Sequence, residues 1–211
     1  MIRKNKLQLK APFAQNTAGR IVSEATRQFA EKGYDGVSIK AISVAAGVNI
    51  AAINYHFDSK ANLFRQIIEQ FIAELLVSAR KTLQPPQGTE DLKIRLEIFV
   101  GQTIEAFIKQ PEIISIIQRE LERTNNIYEK TIFKHLEALI EFLTQAKKKG
   151  LLAADVDPFF AASFLIGQIV YAGRKERAWK SLFGCSSSDK KFRNQWIQQL
   201  LRLFLGGVLK K

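Results

Sequence analysis

From Thr17 onward, apolar residues recur at helical spacing. Ile21, Ala25 and Phe29 fall four apart, with Val22 and Thr26 beside them, as one face of a 3.6-residue repeat requires. Gly33 in "KGYDG" predicts the helix stop and Gly36 a turn. Ser38 is an N-cap for "IKAISVAA", which Gly47 ends, and Asn49 is an N-cap for "IAAINYHF". "DSKANLFRQIIEQFIAELLVSARKTLQ" then predicts a longer helix capped by Asp58 or Ser59, with Leu63, Phe64, Ile67, Ile68, Phe71, Leu75 and Leu76 as its apolar stripe.

"PPQGTED" (85–91) reads as a linker, and further helices are predicted at about 91–109, 111–123, 126–149, 157–180 and 189–209. "KKKG" supplies cations and a glycine stop before Leu151, and Asp157-Pro158 is a cap followed by a first-turn proline. The pattern predicts an all-α chain of about nine helices, three short ones in front and longer ones behind. Domains are expected at 16–62 (helix-turn-helix about 38–57) and 63–211, after a flexible basic tail at 1–15.

Composition fits this pattern: 211 residues, 46% hydrophobic and 25% charged, are ordinary for a globular chain with a buried core. Charge changes the picture more. Thirty-two Lys and Arg against 20 Asp and Glu give +12, which favours a polyanionic partner. Up to Lys60 there are nine basic and four acidic residues, net +5; the rest of the chain carries 23 and 16, net +7. Per residue, the front is about twice as charged. The lone Cys185 forms no intrachain disulfide, and the basic start lacks an apolar signal core, so a cytoplasmic location is expected. "FFAASFLIGQIVYAG" is shorter than the ~20 residues a membrane span needs, so no membrane partner is expected.

Short helix, glycine turn, short helix is a helix-turn-helix arrangement, whose second helix fits a major groove about 12 Å wide. In "NIAAINYHF", Ala51 and Ala52 are small enough for close approach and offer methyls to thymine, while Asn49 and Asn54 can donate and accept at bases or phosphates. Tyr55 and His56 place hydrogen-bonding tips at the far end, the Tyr55 ring partly in the core, and Ile53 and Phe57 point inward. Ser59 and Lys60 open the next helix where a phosphate oxygen is favoured. Lys40 on the second helix reads as either a phosphate contact or a solvated charge.

The stretch "TAGRIVSEATRQFAEKGYDGVSIKAISVAAGVNIAAINYHFDSKANLF", residues 17–64, resembles the DNA-binding domain of the TetR family of bacterial transcriptional regulators. The match lies in the "A…F…GY…G…S…I…AAGV" frame, the "YHF" close and the "F-x-S-K-x-x-L" start of the fourth helix. Ala51 and Ala52 stand where family members often carry glycine or proline. The resemblance implies a homodimer on double-stranded DNA at a palindromic operator, with phosphate contacts from Thr17, Ser38, Tyr55, His56 and Lys60. It also implies a C-terminal part that holds a small-molecule effector and the dimer interface. That interface is expected on the last two helices, at Phe160, Phe164, Ile169, Trp196, Leu200, Leu203 and Phe204.

The many phenylalanines are core residues first. A pocket for a small hydrophobic effector is expected among Phe99, Phe107, Phe133 and Phe164, with Gln102, His135 and Gln168 as polar contacts. Regulation by effector-released repression is the expected function, and the alternative is a basic adaptor for protein or membrane surfaces. Two histidines 79 positions apart, one cysteine and no metal-ligand spacing or phosphate loop give no enzyme, cofactor or metal site to expect. The tail cations Arg3, Lys4, Lys6 and Lys10 read as solvated or as a minor-groove arm.

Overall fold

The computed structural model describes residues 16–122 and 129–210. The predicted basic tail, residue 123 of one predicted helix and the first turn of another (126–128) lie outside them. Among the described residues the chain is all-α, with helices α1 (Thr17–Lys32), α2 (Ile39–Ala46), α3 (Ile50–Phe57), α4 (Lys60–Thr82), α5 (Thr89–Lys109), α6 (Pro111–Leu121), α7 (Glu129–Lys148), α8 (Pro158–Phe183) and α9 (Lys190–Val208). The chain divides into a unit ending at Ile67 and a second from Ile68, so α4 begins in one and continues in the other.

In the first unit, α1, α2 and α3 pack on one another around Ile21, Phe29, Ile42, Ile53, Phe57 and Phe64, all buried. Phe29 meets the Phe64 ring edge-on at 4.9 Å, and Tyr34 meets it at 5.0 Å. Such pairs add roughly 0.5–1.5 kcal/mol beyond area burial. The buried Gln28 amide donates to the Ala41 carbonyl (3.3 Å), tying α1 to α2. Asn16 caps α1 through Gly19 N–H (2.7 Å), a cap the sequence pattern did not single out.

In the second unit α7 lies along α8, and α5 packs against both α8 and α9. Phe99, Leu139, Phe142, Leu143, Leu165 and Phe204 are among the side chains that fill the core between them. Asp157 accepts from the Phe159 and Phe160 N–H groups, with Pro158 at the first turn, as the dipeptide predicts. The 85–91 linker is shorter than expected: α5 starts at Thr89, and the Asp91 carboxylate reaches back to Gln87 N–H (2.8 Å) and across to Arg95 (2.8 Å). Arg95 holds that carboxyl below its usual range. One isolated antiparallel bridge joins Leu152 to Leu209.

Candidate nucleic-acid interface and effector cavity

Two capping bonds and one glycine define the helix-turn-helix. Ser38 Oγ accepts from Ala41 N–H (3.1 Å) to start α2, and Asn49 Oδ1 accepts from Ala51 N–H (3.0 Å) to start α3. Between them Gly47 adopts φ 62, ψ 41, left-handed backbone that a side chain disfavours.

Residues of α3 divide cleanly between two faces. Ile53 and Phe57, four apart, are buried, while Asn49, Ile50, Ala51, Asn54 and Tyr55 face solvent and Ala52 and His56 are intermediate. Tyr55 is 86% exposed, which corrects the expectation that its ring sits partly in the core. At i+2 from Ile53 its direction is nearly opposite to the buried face, and it rests edge-on against His56 at 5.2 Å. Lys40 and Ser38 are exposed on α2, and Thr17 is half-buried in the first turn of α1.

The end of α3 is locked to α4. Asp58 has φ 68, ψ −48, and Ser59 N–H closes onto the Phe57 carbonyl at 2.7 Å, forming a γ-turn of the strained hand. Ser59, rather than Asp58, caps α4 by accepting from Asn62 N–H (3.1 Å). The Asn62 amide in turn donates to Phe57 O (2.8 Å). Lys60, expected as a phosphate cation, spends two of its three donors on the Tyr34 and Val37 carbonyls (3.0 and 2.9 Å) and lies 4.1 Å from the Tyr34 ring centroid. Its first task is to fasten the α1–α2 connection to α4.

Sequence reasoning missed Ile50, 40% exposed in the first turn of α3, and Arg20. Arg20 Nη1 lies 3.8 Å from where a Cβ on Gly47 would stand, placing a cation against the glycine turn. Its outward position on α1 was visible in the helical spacing.

In the second unit, α4, α5 and α7, with Gln110 just beyond α5, border a partly open cavity of ≈ 120 Å³ lined by Phe71, Glu74, Leu75, Ser78, Ala79, Phe99, Gln102, Thr103, Ala106, Gln110 and His135. Ligand pockets usually hold roughly 300–1,000 Å³, so this space is small as it stands. Phe99, Gln102 and His135 are part of its lining. Gln102 Oε1 accepts from Ser78 (2.8 Å) and Thr82 (3.0 Å). Phe107 instead packs on Phe71 at 6.4 Å. Phe133, Phe164 and Gln168 are also absent from the lining. Phe133 and Phe164 are exposed: α8 turns Leu165 and Ile169 inward, so Phe164 faces out.

His135 is 7% exposed. Thr103 donates its hydroxyl to Phe99 O (2.8 Å), so its oxygen can only accept from His135 Nε2–H (3.2 Å). Nδ1 is then a bare acceptor, buried with no partner among the described residues. Burial pushes the imidazole pKa down to about 4.

The expected dimer residues also divide. Ile169, Leu200 and Phe204 belong to the subunit's own core, with Trp196 packed against it, whereas Phe160, Phe164 and Leu203 are exposed. The correction follows from helix geometry: a helix that packs on its own domain cannot offer the same stripe to a second copy. No described helix is long and apolar enough to cross a membrane, and no group of three or more His, Cys, Asp or Glu gathers as a metal site among the described residues.

Residues 21–67 match the family model described as "Bacterial regulatory proteins, tetR family". This region is a DNA-binding domain of the TetR family of transcriptional regulators. The chain is 26% identical over 200 residues to the HTH-type transcriptional regulator UidR of Escherichia coli K12, covering 93% of this chain and 94% of that protein. The HTH-type transcriptional repressor DhaR of Mycobacterium sp. (strain GP1) is 25% identical over 154 residues, covering 69% and 75%. The fold is shared with FadR of Bacillus subtilis in complex with stearoyl-CoA, at TM-score 0.69 and 18% identity over 89% of this chain and 97% of that one. With this domain the protein is a DNA-binding transcriptional regulator, and the α2–turn–α3 segment described above lies within the matched region.

Proposed function

We propose that this TetR regulator represses transcription as a cytoplasmic homodimer, without catalytic activity, by seating α3 in the major groove at each half of a palindromic operator. A small effector in the α4–α5–α7 cavity would release it. The observation that carries the reading is the two-faced α3, with Ile53 and Phe57 buried and Asn49, Ala51, Asn54 and Tyr55 turned outward. Ser38, Lys40, Thr17, His56 and the remaining donor of Lys60 serve the phosphates in this reading, and Ala52 lets the backbone come close. Dimerisation uses the exposed apolar side of α8 and α9, where Phe160, Phe164 and Leu203 stand in water, so that an isologous helical interface covers them. Half-sites then lie about 34–36 Å apart or a little more.

DhaR, a relative named as a repressor, supports the sign of regulation, and the stearoyl-CoA complex of FadR supports control by a bound effector. An effector of that length needs far more room than ≈ 120 Å³, so here either a compact ligand binds or α4 shifts. An effector acts only as far as it binds one state better than the other.

The test is selection of bound fragments from sheared genomic DNA by the wild type and by an Asn54→Ala, Tyr55→Ala double variant. A few palindromic sites enriched only by the wild type are expected, with log affinity falling linearly against log salt at about −0.9 per phosphate contact. Diffuse recovery, equal for both proteins, would defeat the reading in favour of a merely basic adaptor.

A further inference from the structure

We infer that α3 reads A·T base pairs, Asn54 contacting adenine and the methyl groups of Ile50 and Ala51 contacting thymine. This deepens the helix-turn-helix reading above and rests on it.

The argument starts from what α3 does not carry. Major-groove guanine is recognised mostly by Arg or Lys reaching O6 and N7, and cytosine by a carboxylate accepting from N4. "IAAINYHF" contains no Arg, Lys, Asp or Glu. Its outward strip offers two kinds of chemistry only: an amide and apolar methyls, with the Tyr55 phenol beyond them.

Each outward residue is then placed by its contacts. Asn49 commits its carbonyl oxygen to Ala51 N–H, and so belongs first to the cap. Asn54 is exposed, and its side chain has no hydrogen bond within the described residues. Both ends of that amide are available, Oδ1 to accept from adenine N6–H and Nδ2–H to donate to N7, the bidentate pairing an amide makes with adenine.

Ile50 lies four residues earlier on the same face. A large aliphatic side chain in water at the end of the helix that enters the groove gains by covering another apolar group. In the major groove that group is the thymine C5-methyl. Ala51, exposed beside it, presents a second methyl. Lys40 on α2 is exposed and His56 in the last turn of α3 is half-buried, and the assignment concerns only the pairs beneath Ile50, Ala51 and Asn54.

The experiment uses the full-length protein and the operator recovered by fragment selection. Binding is measured at fixed salt by fluorescence anisotropy on that duplex, on copies with single thymines replaced by deoxyuridine, and on copies with single A·T pairs replaced by G·C. Deoxyuridine removes the methyl and nothing else, so this readout is independent of how any variant folds.

At contacted thymines the wild type should lose about fourfold per methyl, from about 0.8 kcal/mol per buried methylene-sized group. Replacing the contacted adenine should cost roughly 5- to 150-fold. Ile50→Ala should erase the deoxyuridine penalty at one symmetric pair of positions, and Asn54→Ala should flatten discrimination at the adenine. Half-sites rich in G·C, or deoxyuridine without effect on a protein that still prefers its operator to random duplex, would overturn the base assignment and leave the regulator reading intact. Loss of any preference for the operator would overturn both.

Discussion

Acid should unfold the second unit through His135. The ring is buried and stacked on Phe99 at 4.9 Å and 22°, Nε2–H is given to Thr103, and Nδ1 meets no donor or acceptor among the described residues. Placing a proton on Nδ1 puts an uncompensated charge in the core. In the unfolded chain the group titrates at 6.5, in the folded protein at about 4. The folded value is the lower one, so the unfolded state binds more protons between them. His135 therefore contributes its full stability above pH 6.5 and loses it as pH falls towards 4. At 1.36 kcal/mol per pH unit the whole window is worth roughly 3 kcal/mol, about 2 of it gone by pH 5.

Trp179 and Trp196, whose rings lie 6.4 Å apart, are the chain's two tryptophans and report on this unit. Urea unfolding followed by their fluorescence at pH 7, 6 and 5 should show a steeper decline for the wild type than for His135→Leu. That variant starts lower at pH 7, having lost the Thr103 bond and the Phe99 stack, but its profile should be flatter by about 2 kcal/mol between pH 7 and 5. Carboxylates titrate alike in both proteins and cancel in the difference, and His56→Gln serves as the control for the other histidine. Parallel pH profiles for wild type and His135→Leu would refute the reasoning.

Three further outcomes are expected. Tyr55→Ala should leave unfolding stability within about 0.5 kcal/mol, since the side chain is almost wholly exposed, while weakening operator binding measured by anisotropy. Asp58→Gly should raise stability by about 1 kcal/mol in thermal or urea unfolding, because it relieves a positive-φ residue at the α3–α4 γ-turn; a loss would mean that the Asp58 side chain holds the turn. Lys60→Met should cost roughly 2 kcal/mol or more by the same measurement, through two carbonyls left without their charged donor, and a change confined to DNA affinity would show that the phosphate task dominates.

Much was legible in the sequence because the deciding interactions are local. Asn49, Ser38, Gly33, Gly47 and Asp157 cap helices through bonds spanning two to four residues, and Ile53 with Phe57 marks the buried face of α3 by spacing alone. The order of the described helices and the helix-turn-helix followed from such rules; the exposure of Ile50 and of the whole Tyr55 ring did not. Tertiary structure decided whatever depends on a partner far along the chain. Lys60 is a charge at a helix start until Tyr34 and Val37, 26 and 23 residues away, bring their carbonyls to it. His135 is a polar residue on an amphipathic helix until Thr103, 32 residues away, fixes its tautomer. Phe160 and Phe164 look like Ile169 and Leu165 in composition, and only the way α8 rolls onto α5 and α7 turns the first pair to water and the second into the core. Periodicity names a helix's apolar residues; when most of the helix is apolar, the rotation that chooses among them is set by the neighbours it packs against.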